Sequence, residues 1–328
     1  MEFKSEKTSP VLVTGCAGFI GSNLVDHLLG KGLKVVGLDN LTTGKTHFLN
    51  NALTNKNFTF YEVDLLRTNN LIDYFKDCSL VYHLAANADV RFGVEKPSID
   101  FEQNTFATFK VLEAMRTTGV TKICFSSTGS IYGEADIIPT PENAPFPIQT
   151  SLYGASKLAC EGLISAYCES FGFQSWIFRF VSILGPRYTH GHIFDFYKQL
   201  IENPDELKVL GDGNQKKSYL HVFDCINAID FGMKNFDESV NIMNLGNSSY
   251  ISVKESVNYI NRELNVNPTI QYGTEARGWI GDNPFIFLNT NKMTSTGWNP
   301  RFSIERGVID TIKYLKENSW LFVHEENS

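Results

Sequence analysis

Apolar residues change their spacing in a regular alternation along this chain. VLVTG is a short β-branched run, AGFIGSNLVDHLLGKG carries apolar residues at helical spacing and stops on glycine, and KVVGLDN is strand-like again. That succession predicts a βαβ unit. It continues through FTFYEVD, a helix around Leu71 to Phe75, LVYHLAA, a long helix from about Ile99 to Thr117, KICFSS, a helix carrying Tyr153 and Lys157, and QSWIFRF. Repeated alternation of this kind predicts an α/β fold, a doubly wound parallel sheet with helices on both faces. After Gly185 the rhythm gives way to loops, short strands and isolated helices around LGDGNQ and NLGNSSY. A smaller α/β domain, interleaved with the first, is expected there. The expected boundaries are 8–180 for the sheet domain, with a returning segment near 217–246, and 181–216 plus 247–318 for the smaller one.

Composition narrows the classes of partner. The chain has 328 residues, of which 42% are hydrophobic, enough for a substantial core. Its net charge of -7 argues against nucleic acid, which calls for a basic face, so any anionic ligand must be held by local donors. The polar start MEFKSEKTSP has no apolar signal core, and no run approaches the roughly 20 apolar residues that span a bilayer, so no membrane partner is expected. Cys16, Cys78, Cys124, Cys160, Cys168 and Cys225 form no C-x-x-C, and several lie in apolar runs. Buried free thiols in a reducing, cytoplasmic compartment follow. His83, His190, His192 and His221 lack metal-ligand spacing, so no metal is expected. The acidic end HEENS reads as a frayed terminus.

Two stretches carry chemistry. TGCAGFIG places Gly15, Gly18 and Gly21 between a strand and a helix. Gly15 would allow a tight turn, Gly18 would let the backbone approach a pyrophosphate, and Gly21 would let the helix pack closely. The spacing is G-x-x-G-x-x-G. Asp39 closes the second strand about 20 residues on, where a carboxylate accepts both ribose hydroxyls of NAD and repels the 2′-phosphate of NADP. In SLYGASK, Tyr153 and Lys157 lie four apart and share a helix face. A phenol with pKa about 10 is mostly protonated at neutral pH. An ammonium about 4 Å away, at an effective dielectric near 20, favours the phenolate by roughly 4 kcal/mol, about three pKa units.

The ordered set TGCAGFIG, LDNLTTGK, VDLL, HLAAN, QNTFATFKVLEA, FSSTGSIYGE, SLYGASK, ILGPR and RGWIGD resembles the extended short-chain dehydrogenase/reductase family acting on nucleotide sugars. This is an NAD-dependent epimerase/dehydratase group built on a Rossmann-type sheet. Through THGHIFDFYKQL, VLGDGNQKKSYLHVFDC and RGWIGD the chain looks most like the UDP-glucose (UDP-galactose) 4-epimerases. The resemblance implies that Gly15, Phe19 and Ile20 line the pyrophosphate of NAD. It puts Asp39, Asn40 and Thr43 at the adenosine ribose, Asp64 and Leu65 at the adenine, and Leu84, Ala85, Ala86 and Asn104 at the nicotinamide half. Thr128, Tyr153 and Lys157 are implied as the catalytic set, the last two also touching the cofactor. Ser182, Lys217, Tyr219 and Arg277 are implied to hold the nucleotide sugar, with His192 and Ile193 contributing backbone contacts.

Many 4-epimerases carry asparagine at the position of Ser182 and arginine at that of Lys217, and lysine lacks the planar bidentate fork. Thr128-Gly129-Ser130 also lacks the two carboxylates of the 4,6-dehydratase branch. The implied activity is C4 epimerisation of UDP-glucose/UDP-galactose through a transient 4-keto intermediate. The alternatives are a UDP-uronic acid, a UDP-N-acetylhexosamine or a GDP-sugar as substrate, and, from another class, a non-catalytic dinucleotide sensor. The resemblance further implies a homodimer paired through the helix from about Ile99 to Thr117 and the one starting near Tyr153.

Overall fold

The computed structural model describes residues 9–146, 148–278, 283 and 285–322. Its principal sheet contains β1 (Val11–Thr14), β2 (Val35–Asp39), β3 (Phe58–Glu62), β4 (Leu80–His83), β5 (Lys122–Thr128) and β6 (Gln174–Phe180). The seventh strand, β11 in chain order (Val240–Leu245), arrives only after a long excursion of the chain and pairs with β6. The order is β11-β6-β5-β4-β1-β2-β3, and every pairing is parallel. All four residues of β1 are buried, as are the last six of β6. This is why those strands read as unbroken apolar runs: helices cover both faces.

On one face α1 (Phe19–Gly30) and α6 (Val222–Asn235) bring Leu24, Val25 and Leu28 together with Ile226 and Ile229. On the other, α2 (Leu71–Phe75), α3 (Ala107–Thr118) and α4 (Leu152–Phe171) bury Phe75, Val111, Leu112, Met115 and Ile164. The expected doubly wound sheet is therefore present. The chain runs outward from β1 to β3 and then returns to lay β4 on the other side of β1. Between β1 and β4 the winding reverses, and the carboxyl ends of those strands open a crevice.

The helix expected from about Ile99 to Thr117 is regular only over its second half. Ser98–Asp100 leads into a wider π-helical turn, Phe101–Phe106, before α3 begins. Asn104 sits in that turn with its side chain committed to neighbouring segments, and single π-turns of this kind cluster at functional positions.

The remaining strands form three small sheets. β7 (Ser182–Leu184) pairs with β10 (Tyr219–His221), β8 (Glu206–Val209) with β13 (Thr269–Tyr272), and β9 (Lys216–Lys217) lies between β12 (Ile251–Ser252) and β14 (Phe285–Ile286). They share a third core with α5 (His192–Glu202), α7 (Val253–Leu264) and α8 (Ile304–Glu317), built on Ile193, Phe196, Leu207, Val257, Ile260 and Val308. The six cysteines are all buried and free. Among the described residues no helix is long and apolar enough to cross a membrane. The HEENS end lies outside the described residues.

Candidate active site

Nearly every residue expected at the cofactor lies at the carboxyl edge of the sheet. Gly15 follows β1 with φ +70, and a Cβ there would sit 2.7 Å from the Ala85 nitrogen and 2.9 Å from the Leu84 carbonyl carbon. The turn is thus wedged against the end of β4, and only glycine fits it. A Cβ on Gly21 would collide with the Gly15 carbonyl, so α1 packs against the turn itself. Gly18 precedes α1 in extended conformation, and no side chain caps the helix. Among the described residues the first-turn amides of Phe19 and Ile20 have no acceptor, and the helix dipole favours an anion there.

Asp39 is buried at the end of β2. Its Oδ2 accepts the Ala17 amide and its Oδ1 the Leu41 amide, both at 2.9 Å. Burial pushes its pKa up while those two amides pull it down. Half-buried Asn40, with its Oδ1 on the Thr42 amide, and exposed Thr43 complete the rim. Asp64 and Leu65 follow β3 directly beside it, since Asp39 pairs with Glu62. Leu84, Ala85 and Ala86 are half-buried beyond β4, and Thr14 Oγ1 accepts the Ala85 amide at 3.3 Å. An uncapped helix N-terminus, a turn without room for a Cβ and an acidic end to the neighbouring strand fit a dinucleotide bearing a free ribose diol.

The three residues expected to be catalytic come from β5 and α4. Ser151 caps α4, accepting the Gly154 amide at 3.0 Å, and this fixes where Tyr153 emerges. Thr128 ends β5, takes the Ser130 amide at 3.1 Å and favours the phenolate form of half-buried Tyr153. Lys157 is buried. Its Nζ donates to the Ser126 carbonyl at 2.9 Å and lies 4.7 Å from the centroid of the Phe125 ring.

One expectation is corrected here. The phenol is not lowered by its helical neighbour: burial pushes Tyr153 up to about 12, against the Thr128 hydrogen bond, with Asp100 and Cys160 adding to the rise. Burial also takes Lys157 down to about 8, opposed by Cys160, Glu161 and Asp100. The reason is geometric. The ammonium is directed at the β5 backbone, and desolvation outweighs attraction in both groups.

Asn104 ties this trio to the cofactor edge. Its Oδ1 accepts the Asn87 amide at 2.8 Å and its Nδ2 donates to Ser156 Oγ at 2.9 Å. Ser156 lies between Tyr153 and Lys157 on α4.

Of the residues expected at the sugar nucleotide, Ser182, Tyr219, His192 and Lys217 lie together. Ser182 is exposed at the start of β7, in register with buried Tyr219. The Tyr219 hydroxyl lies 3.4 Å from His192 Nδ1, while His192 Nε2 lies 2.8 Å from Ser256 Oγ. Burial, then the charge of Lys217, takes His192 down to about 3, so the ring is neutral. Its side chain is spent on protein partners, and Ile193 is wholly buried. Gly191 precedes α5 and no side chain caps its start. Arg277 is ion-paired with Glu134 rather than free. Both side chains are about half exposed, and such a pair contributes at most about 1 kcal/mol, so a diphosphate can displace it. The remainder of RGWIGD, 279–282, lies outside the described residues.

Sequence reasoning gives no role to Asn87, Asp89, Arg91, Asp100, Glu134, Ser156 or Asp195. Asn87 closes the HLAAN segment and is within its reach. Arg91 is not: it grips Asp89 at 2.7 Å and reaches the distant Asp195 of α5 at 3.3 Å, a pairing that leaves no local signal in the chain.

Residues 11–246 match the model of the NAD dependent epimerase/dehydratase family. A Methanocaldococcus jannaschii protein provisionally named UDP-glucose 4-epimerase is 33% identical over 94% of this chain and 99% of its own length. A crystal structure of a UDP-galactose 4-epimerase, 34% identical, superposes with a TM-score of 0.85 over 95% of this chain and 100% of that one. The Bacillus cereus UDP-glucuronic acid 4-epimerase, solved with UDP-glucuronic acid and NAD, is 28% identical with a TM-score of 0.87, covering 94% of this chain and 99% of that one.

Proposed function

The chain belongs to the NAD-dependent epimerase/dehydratase family, and from that membership we propose that it interconverts UDP-glucose and UDP-galactose by inverting the sugar's C4. It is a nucleotide-sugar 4-epimerase whose cofactor is NAD. The observation that carries the reading is the placement of Thr128 at the end of β5 and of Lys157, one helical turn after Tyr153, on the Ser126 carbonyl of the same strand, with the Gly15 turn and Asp39 along the same sheet edge.

Bound NAD supplies the acceptor and donor for the C4 hydride. The protein's own groups handle the proton and the orientation. Tyr153 takes the C4 hydroxyl proton and returns it, and Thr128 directs the same oxygen. Lys157, held on the Ser126 carbonyl, keeps a positive charge behind the pair. Lys217, Tyr219 and Arg277 hold the nucleotide while the 4-keto hexose turns over. Water loss is disfavoured because Gly129 is buried under Ile286 and Leu288, where a carboxylate would be needed. The division into a cofactor region and a sugar region of 181–216 and 247–318 belongs to the same reading.

The test is product mass and label in D₂O. An epimerase returns a product of the substrate's mass with no deuterium on carbon. Loss of water with deuterium at C5 overturns the reading. A UDP-uronic acid is the second reading, favoured by the Bacillus cereus neighbour, and turnover of UDP-glucuronate in preference to UDP-glucose would establish it.

A homodimer is part of the proposal. Phe101, Phe109, Leu152 and Phe171 are exposed on the two helical segments expected to pair, an apolar face larger than a solvated helix needs. A monomeric mass by light scattering at micromolar concentration would contradict it. The six buried, unpaired cysteines support a reducing compartment such as the cytoplasm.

A further inference from the structure

Asp100 is 1% exposed and stands behind the catalytic helix, at the entry to the π-helical turn. Its Oδ1 accepts from Asn87 Nδ2 at 2.8 Å and from Asn104 Nδ2 at 3.4 Å. Its Oδ2 is buried with no hydrogen-bond partner among the described residues. Gly93 lies directly over that oxygen, and a Cβ there would collide with it. An unsatisfied buried carboxylate oxygen is costly and calls for a compensating role.

Three segments converge on this group. Asn87 comes from the loop after β4, the expected nicotinamide edge. Asn104 carries the contact onward to Ser156 Oγ at 2.9 Å, and Ser156 donates to the Tyr153 carbonyl at 2.8 Å. The charged and titratable groups facing Asp100 are Asp89 from the β4 loop and Lys157 and Tyr153 from α4. Lys157 in turn faces Cys160 and Glu161 on its own helix and His83 at the end of β4. Among these described residues Lys157 is the one cation facing Asp100.

We propose that Asp100 is a positioning residue for the Tyr153–Lys157 pair, fixing the loop after β4 and α4 through Asn87 and Asn104 and adding a buried carboxylate on the side of that pair. The proposal rests on the epimerase reading for its substrate. Direct contact with the reacting atoms is not part of it. Burial raises the Asp100 carboxyl, the Asn87 hydrogen bond lowers it, Asp89 raises it and Lys157 lowers it, so the lysine and the carboxylate each favour the other's charged form against burial.

Asp100→Asn keeps an oxygen for the Asn87 amide and removes the charge. Without that charge the Tyr153 phenol ionises more easily and Lys157 loses its proton more easily. Both limbs of the kcat/KM profile for UDP-galactose should therefore move to lower pH. A fall in turnover with both limbs unmoved would reduce Asp100 to a packing residue and overturn the proposal.

An ultraviolet titration of tyrosinate in the NAD-loaded protein, with Tyr153→Phe as the blank, reads the same shift without turnover. An enzyme inactive on UDP-hexoses would thus sink the substrate reading while the titration still decides on Asp100: a lower Tyr153 midpoint in Asp100→Asn supports it, an unchanged one overturns it. Should Asp100→Asn fail to fold, Gly93→Ala presses a methyl onto the same carboxylate. It is expected to cut turnover at least ~5-fold with NAD affinity retained, and wild-type turnover would count against the proposal.

Discussion

The two ends of the candidate site are built from different materials. At the cofactor edge the chain offers backbone: a turn with no room for a Cβ, an uncapped helix start, and a carboxylate held by two amides. At the edge expected to hold the sugar nucleotide it offers side chains held by other side chains, such as Tyr219 on His192, His192 on Ser256 and Arg277 on Glu134. The first end sits on a seven-stranded sheet, the second on sheets of two and three strands. Backbone-built recognition is sensitive to added bulk and tolerant of polar change. Side-chain-built recognition is the reverse.

The largest expected effect falls where the two ends meet. Tyr153→Phe should lower turnover by at least ~10²-fold with NAD still bound, read by steady-state kinetics beside calorimetry. Near-normal turnover would remove Tyr153 from the chemistry. Next comes Gly15→Ala, which adds a single methyl at φ +70 against Leu84 and Ala85. Strain of about 1–3 kcal/mol should weaken NAD binding by roughly 5- to 150-fold, and unchanged affinity would break the claim that this edge is made of backbone. At the other end Tyr219→Phe, which removes only a hydroxyl, should raise KM for the nucleotide sugar by about 5-fold, the worth of one net hydrogen bond, with NAD affinity unmoved. Equal loss for both ligands would erase the contrast between the ends.

The smallest effect is a shift in pH. Thr128 lowers the Tyr153 pKa through its hydrogen bond, so Thr128→Val should raise it. The tyrosinate midpoint of Tyr153 in an ultraviolet titration, with Tyr153→Phe as the blank, then moves to higher pH, because the phenolate appears later as pH rises. Movement to lower pH would mean that Thr128 stabilises the neutral phenol.

This contrast also explains what is legible in the sequence. The parallel sheet can be read because strands covered on both faces leave continuous apolar runs, and Gly15, Gly21 and Asp39 because their reasons are local in the chain. Lys157 is legible too, but its direction toward Ser126 is not: a four-residue spacing fixes a shared helix face, whereas burial decides proton affinity and belongs to the assembled fold. The π-helical turn at Phe101–Phe106 reads as ordinary helix because its apolar spacing is nearly the same. Arg277 with Glu134 and Asp100 with Asn87 bring together residues that no periodicity relates.

Strand β11 carries a consequence for synthesis. It reaches β6 only after everything between Phe180 and Val240 has been made. During translation the Gln174–Phe180 strand, buried along nearly its whole length in the finished fold, therefore waits as an open edge. An unpaired apolar edge is a template for other chains. A cut after Phe180 leaves the part of the chain ahead of it with one side of that strand unpaired, and only the later delivery of Val240–Leu245 closes it.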